Sequence, residues 1–209
     1  MSKLVVSGDA AATAHNITAS SELWQISVAG NLIVPLIAVA QLWIEYLLFK
    51  PVSKNLSLLF TLFAIMSLSV ETISKLFLLM VPHVLGGTVY GNAFEPQQLY
   101  ALSYISLAAH DMSFNIALIF FGCACLLEGY LIFISGYLPK IVGILMQAAG
   151  ISYLIASFSA LFAPAFSNLI TPAILIPALI GESSLALWLL VRGVNVTKWN
   201  ERVMPAVAS

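Results

Sequence analysis

The sequence predicts an all-α integral membrane protein: a helical bundle of five transmembrane helices plus one amphipathic surface helix, in a single domain, with the N-terminus outside and the C-terminus cytoplasmic. Three observations predict it. The 209 residues are 61% hydrophobic and 8% charged, with a mean hydropathy of +1.01. A soluble domain is about 45–50% apolar and about 25% charged, so this chain cannot build a water-facing shell and lipid must be part of its solvent. Five stretches reach the roughly 20 mostly apolar residues that a spanning helix needs. Lysine and arginine fall only in alternate connections.

The first 25 residues are polar and alanine-rich and lack the apolar core of a signal peptide. They read as an external segment, and the chain is expected to enter the membrane through its own helices. The first span runs from about Ile26 to Phe49 and closes at Lys50-Pro51. The second runs from about Leu56 to Val81. Gly86-Gly87 and Gly91-Asn92 mark the longest connection. From Pro96 to Ser135 no strong breaker occurs, and the stretch exceeds one span. Gln97 to Ala109 reads as an amphipathic lead-in helix at the outer surface. The transmembrane part then starts near His110 and contains Asn115 to Phe133. The fourth span follows Pro139, a residue suited to a first helical turn, and ends near Phe162. Pro164 lies in the last loop. The fifth span runs from about Leu169 to Val191. Residues 26–192 thus form the bundle and 193–209 a cytoplasmic tail. Unpaired backbone groups are not tolerated in lipid, so every span should be helical.

Orientation follows from the cations. Lys50 and Lys54 lie in the first loop, Lys140 in the third, and Arg192, Lys198 and Arg202 in the tail. The loops at 83–96 and 163–168 carry no Lys or Arg. Trp24, Trp43, Tyr46, Tyr90, Tyr137, Trp188 and Trp199 fall near span ends, as an aromatic belt would.

Several functions are argued against. Net charge is −1 and no basic run suggests nucleic acid as a partner. Cys123 and Cys125 point to different sides of a helix and are a poor disulfide pair. No zinc-type spacing and no Gly-x-Ser-x-Gly, His-Glu-x-x-His, phosphate-loop or dinucleotide signature is present. One intramembrane histidine with scattered carboxylates is only a weak metal signal, no metal ligand is assigned, and the sequence names no cofactor.

The informative residues are charges within apolar spans. Of nine acids, Glu45, Glu71, Asp111, Glu128 and Glu182 fall in or at the edge of a span, with Lys75 and His110. Each charge at bilayer depth costs about 2.5–3.5 kcal/mol on insertion scales, and such residues usually face a bundle interior or a water-filled cavity. At about 1.5 Å per residue from the cytoplasmic ends, Glu128 lies roughly 10 Å in, Glu182 roughly 15 Å, Glu71 roughly 22 Å and Lys75 roughly 28 Å. His110 and Asp111 sit near the outer boundary. If all face inward they form a staggered ladder.

Glu71 and Lys75 share a helix face in the favourable order for an ion pair, either a buried structural pair or a polarised pocket wall. His110 and Glu128 are five turns apart and share a face, with Ala117 and Ala124 near the same line. They are an interfacial histidine and a packing carboxyl, or the two ends of a groove. Glu182 follows Gly181 in a helix holding Pro172 and Pro177. Pro177 would free the Ala173 carbonyl and kink the helix. Glu182 then borders a cavity, or bonds a neighbouring helix. Glu128 and Glu182 are expected to face one polar cavity between the third and fifth spans, with His110 at its outer mouth. Glu45, close to Lys50, is expected to reach headgroups or water.

Several stretches resemble a known family. They are Gly8-Asp9-Ala10-Ala11-Ala12-Thr13-Ala14-His15-Asn16-Ile17, Lys50-Pro51-Val52-Ser53-Lys54-Asn55-Leu56, and Phe120-Phe121-Gly122 through Gly129-Tyr130-Leu131. Ser135-Gly136-Tyr137-Leu138-Pro139-Lys140 follows, then Gly181-Glu182 with Leu187-Trp188-Leu189-Leu190-Val191. The family is the bacterial membrane-protein family known only as domain of unknown function 4386. The resemblance implies a polytopic inner-membrane protein and brings no activity with it. Members usually carry one more hydrophobic helix ahead of the Gly8–Ala14 motif; either the start of this chain is truncated or the protein lacks that helix.

Three function classes compete. The bundle binds or acts on a lipophilic small molecule in an acid-lined intramembrane cavity; it is a small proton- or ion-coupled transporter; or it is an accessory subunit of a larger membrane complex. The first ranks ahead because the acids converge near mid-depth and the chain is short for a transporter. The expected partners are the lipid bilayer, a lipophilic ligand and further copies in a homo-oligomer.

Overall fold

A computed structural model describes residues 3–87, 91, 93–171 and 173–207. Tyr90, Asn92 and Pro172, read above as a belt aromatic, a turn residue and a kink residue, lie outside the described residues. The fold is helical, with no strand among the described residues. Its helices are α1 (Ala10–Ala19), α2 (Ser21–Phe49), α3 (Lys54–Gly86), α4 (Pro96–Ser135), α5 (Lys140–Phe162), α6 (Pro164–Ile170), α7 (Ile176–Val191) and α8 (Val196–Val207), with a 3-10 turn at Ala173–Leu175 leading into α7. Five are long and apolar enough to cross a membrane: α2, α3, α4, α5 and the stretch Ala173–Val191. Large apolar side chains stand exposed along them, Leu36 at 73% and Leu190 at 83%, a surface that needs lipid rather than water. This is a multi-pass helical membrane protein.

The chain divides into two compact units, residues 1–38 with 69–114, and residues 39–68 with 115–209. The single domain expected from sequence is therefore built around two cores, because α2, α3 and α4 are long enough to contribute residues to both.

In the first unit the motif around Gly8 has a physical reading. Gly8 has φ +79°, a conformation that suits glycine, and its N–H donates to the Tyr104 hydroxyl at 2.9 Å. Asp9 caps α1 by accepting from the Ala12 N–H at 2.8 Å. The Thr13 hydroxyl bonds back to Val6, and Ala14 and Ile17 are buried. The polar N-terminal segment is thus a folded element. Trp24 is buried among Ile17, Val28, Leu78 and Val81, and its indole N–H donates to the Leu78 carbonyl at 3.3 Å. Its belt position is corrected: a donor-bearing aromatic with a partner inside goes inside.

In the second unit Phe49, Phe60, Leu131, Ile132, Val142, Met146 and Leu185 form the centre of the core. Glycines set how close its helices come. A Cβ on Gly129 would fall 2.6 Å from the Gly143 carbonyl oxygen, one on Gly150 would fall 2.7 Å from that of Gly122, and one on Gly181 would fall 2.6 Å from that of Leu145. Gly122 and Gly129 on α4 therefore meet Gly150 and Gly143 on α5, antiparallel and seven residues apart on each helix, the small-residue packing that membrane helices use. α7 lies on α5 at Leu145 and Ala149.

The same unit ties off its helix ends. The Leu48 carbonyl accepts from the Tyr137 hydroxyl at 2.6 Å and from the Trp199 indole at 3.4 Å. The Ile134 carbonyl accepts from Arg202 at 3.0 Å. Burial pushes the Tyr137 phenol above its ordinary range, with Arg202 opposing, so this hydroxyl stays a donor.

Three further expectations are corrected. Residues 97–109 are not a separate surface helix: α4 runs unbroken for 40 residues, about 60 Å at 1.5 Å per residue. No breaker interrupts it, Leu99, Ser103, Ser106 and Leu107 are buried, and the two serine hydroxyls bond back to the carbonyls of Tyr100 and Leu102. The amphipathic segment off the spans is α8. The fifth span starts at Ala173, because residues 164–170 form their own short helix. Pro177 sits in the first turn of α7, where its missing N–H costs nothing, so it does not kink the helix.

Candidate functional site

The charges inside the spans fall into two clusters, one in each unit. In the first unit Lys75 Nζ lies 3.3 Å from Glu71 Oε1, the pair the i,i+4 spacing predicts. Lys75 is buried and its ammonium sits 5.1 Å from the Phe114 ring centroid. His110 Nδ1 lies 3.1 Å from the Ser74 carbonyl, and its ring stacks on Phe114 at 6.1 Å. The charges of Lys75, Asp111 and Glu71 all reach His110. Asp111 itself is exposed. Lys75 has both an opposite charge and an aromatic face beside it, as in a structural network. His110 falls in the first unit and Glu128 in the second.

The second unit gathers the other acids. Glu128 on α4 is 7% exposed, and its Oε1 is shut off from solvent with no hydrogen-bond partner. The charges of Glu45 on α2 and Glu182 on α7 reach it. Packing explains why. Gly129 abuts Gly143 and Gln147 on α5, and Gly181 abuts Leu145 and Ala149 on the same helix. α4 and α7 therefore flank α5 at one level, and each acid is the immediate neighbour of the contact glycine. Glu182 Oε1 accepts from the Tyr153 hydroxyl at 2.6 Å, and Glu45 Oε1 accepts from Gln41 at 2.8 Å. Phe121 meets Tyr153 edge-on at 5.3 Å. Cys125 is buried and free within reach of the charges of Glu128, Glu182 and Glu45. Two more hydroxyls on α5, those of Ser152 and Ser157, are buried without a partner. Among the described residues no three His, Cys, Asp or Glu side chains are close enough to hold a metal ion.

The model of a family described as domain of unknown function (DUF4386) matches residues 1–193. The chain belongs to that family. The DUF4386 match runs from the N-terminal segment through the end of α7 and stops short of α8, so both clusters lie inside it. No curated protein and no solved structure matches the chain.

Within this DUF4386 chain, sequence reasoning placed Glu71 with Lys75 correctly and picked out Glu128 and Glu182. Glu45, expected to reach headgroups or water, is half-buried and its charge reaches Glu128. Gln41 stands four residues before Glu45, which was the available signal. Tyr153 was missed: a phenol inside a span needs a partner for its hydroxyl, and it is the sole tyrosine of the fourth span.

Proposed function

We propose that the acidic cluster of the second unit is an intramembrane site for a lipophilic small molecule, in a multi-pass protein of the bacterial inner membrane with an external N-terminus and a cytoplasmic tail at 193–209. One observation carries the reading: Glu128 is buried with a carboxyl oxygen that no protein donor satisfies. A buried unsatisfied acceptor costs about 1–3 kcal/mol, and more when charged, so the fold retains it against its own stability. A ligand donor would offset that cost. Glu182, held by Tyr153 on one oxygen, keeps capacity for a second partner. The Lys75–Glu71 cluster of the first unit is internally neutralised and supports the scaffold.

Dicyclohexylcarbodiimide, a lipophilic reagent that adds to carboxyl groups, tests access. In membranes, peptide mass spectrometry should find Glu128 or Glu182 modified ahead of the exposed Glu95 and Glu201. Modification confined to Glu95 and Glu201 would remove the reading. The alternative of a proton path draws on the same groups, since three carboxyls and a phenol can pass a proton in steps. Proton flux into proteoliposomes that Glu128→Gln abolishes would move the cluster to that reading.

A further inference from the structure

The acidic cluster of the second unit has a chemical sign as well as a place. Glu45 and Glu182 both lie within electrostatic reach of Glu128. Among the described residues no lysine or arginine forms an ion pair with any of them. Three of this unit's basic side chains are engaged elsewhere: Lys50 lies over the Tyr46 ring, Lys140 over Phe133, and Arg202 donates to the Ile134 carbonyl. Glu45 and Glu182 each have one neutral donor, Gln41 and Tyr153. Glu128 Oε1 has none. Charges taken out of water are offset by a counter-charge and by hydrogen bonds, and here the protein supplies neither to Glu128 Oε1. The three carboxyls are too far apart to close on one metal ion. Next to them the Phe121 and Tyr153 rings pack together, and aromatic faces attract organic cations.

We infer that this site, resting on the reading that it receives a lipophilic molecule, is selective for a lipophilic cation: an amine on an apolar chain or ring, whose ammonium N–H donates to Glu128 Oε1 while the apolar part lies against Phe121 and Tyr153. A neutral alcohol would supply a donor without the charge. A carboxylate or phosphate would bring a further acid group beside these three carboxyls and no cationic donor for Glu128 Oε1. The ammonium alone satisfies the orphaned oxygen and the field together, and charge-assisted bonds are about twice as strong as neutral ones.

The test is thermal unfolding of the full chain in phosphatidylcholine nanodiscs with decylamine, decanol or decanoate at equal concentration. Anything that binds the folded state alone raises its melting temperature. Decylamine, protonated at pH 7, should raise it by several degrees, and decanol and decanoate by less than one. Glu128→Gln, which keeps the shape, should weaken decylamine at least tenfold. Glu182→Gln gives the same check should Glu128→Gln fail to fold, and the exposed Glu201→Gln should leave binding unchanged. Nanodiscs of phosphatidylethanolamine identify the source of the ammonium. A decylamine shift suppressed there makes the lipid head group the occupant, a shift retained there makes it a free amine, and both support a cation site. Equal shifts with decanol and decylamine would overturn cation selectivity and leave the lipophilic site standing. No shift with any probe would overturn both. A decylamine shift unchanged in Glu128→Gln and Glu182→Gln would place binding elsewhere and overturn the assignment.

Discussion

Adding one methyl group at Gly143 puts the α4–α5 packing under a direct load. A Cβ there would stand 2.6 Å from the Gly129 carbonyl oxygen, 2.8 Å from the Phe133 nitrogen and 3.2 Å from its Cα. Non-bonded heavy atoms rest at about 3.5–4.0 Å, so the two helices must part by about 1 Å. All three obstacles are backbone atoms, which cannot rotate away as a side chain can. A gap of about 0.5–1 Å forfeits a quarter to a half of the dispersion energy of each contact it opens, and overpacking typically costs about 1–3 kcal/mol. Alanine returns up to about 1 kcal/mol of helix propensity. Gly143→Ala should therefore lose about 1–2 kcal/mol net. Gly30→Ala on α2 is the control, with nothing within 4 Å of its Cβ, and should gain up to about 1 kcal/mol. At about 2–4 °C per kcal/mol for a chain of this size, the two variants should melt about 2–12 °C apart in mild detergent. The double variant Gly129→Ala with Gly143→Ala should lose less than the sum of the singles, because one separation relieves both clashes. If Gly143→Ala melted with wild type, or Gly30→Ala fell as far, the close approach of α4 and α5 would be wrong.

Three other outcomes follow from the geometry. Glu71→Ala should destabilise more than Glu71→Ala combined with Lys75→Ala, since the single change strands an ammonium that is 3% exposed; the loss should fall below the about 3–5 kcal/mol of a fully buried pair, because Glu71 keeps 25% exposure. A double variant melting below both singles in detergent would remove the pairing. Cysteine placed at Gly87 should label from outside cells and cysteine at Val196 should not, and the reverse pattern would invert the topology. Tyr137→Phe removes the bond to the Leu48 carbonyl and should cost about 1 kcal/mol. Its phenol is raised above the ordinary range in the fold, so its contribution is complete below the unfolded value of about 10 and is lost as pH rises beyond it; wild type should lose more stability between pH 9 and 11 than Tyr137→Phe, and parallel curves would refute the burial of this hydroxyl.

Hydropathy made the spanning helices legible because apolar length has few other uses. Boundaries were less legible where packing decides them. Residues 97–109 look amphipathic in isolation, but α4 continues through them because Leu99 and Leu107 have a core to enter, which no local pattern records. Pro177 reads as a kink until the end of α6 makes it a first-turn residue. Spacing found the Glu71–Lys75 pair, since both lie on one helix. The Glu45–Glu128–Glu182 grouping spans three helices, and its register is written in Gly129, Gly143 and Gly181, whose meaning emerges only when another backbone fills the space each leaves.

The ties at Leu48 and Ile134 bear on how the protein is made. Carbonyls at the ends of α2 and α4 take their donors from Tyr137, Trp199 and Arg202, two of which lie on α8. During synthesis the first and third spans are inserted long before residues 195–202 leave the ribosome. Until then those carbonyls have water or lipid head groups in place of their native donors, and the second unit is threaded but not fastened. Final assembly is therefore an event that follows translation of the spans. A nascent chain stalled before Asn195 would present a recognisably unfinished substrate to membrane proteases, and a fusion attached close behind α8 would interfere with this last step more than with insertion.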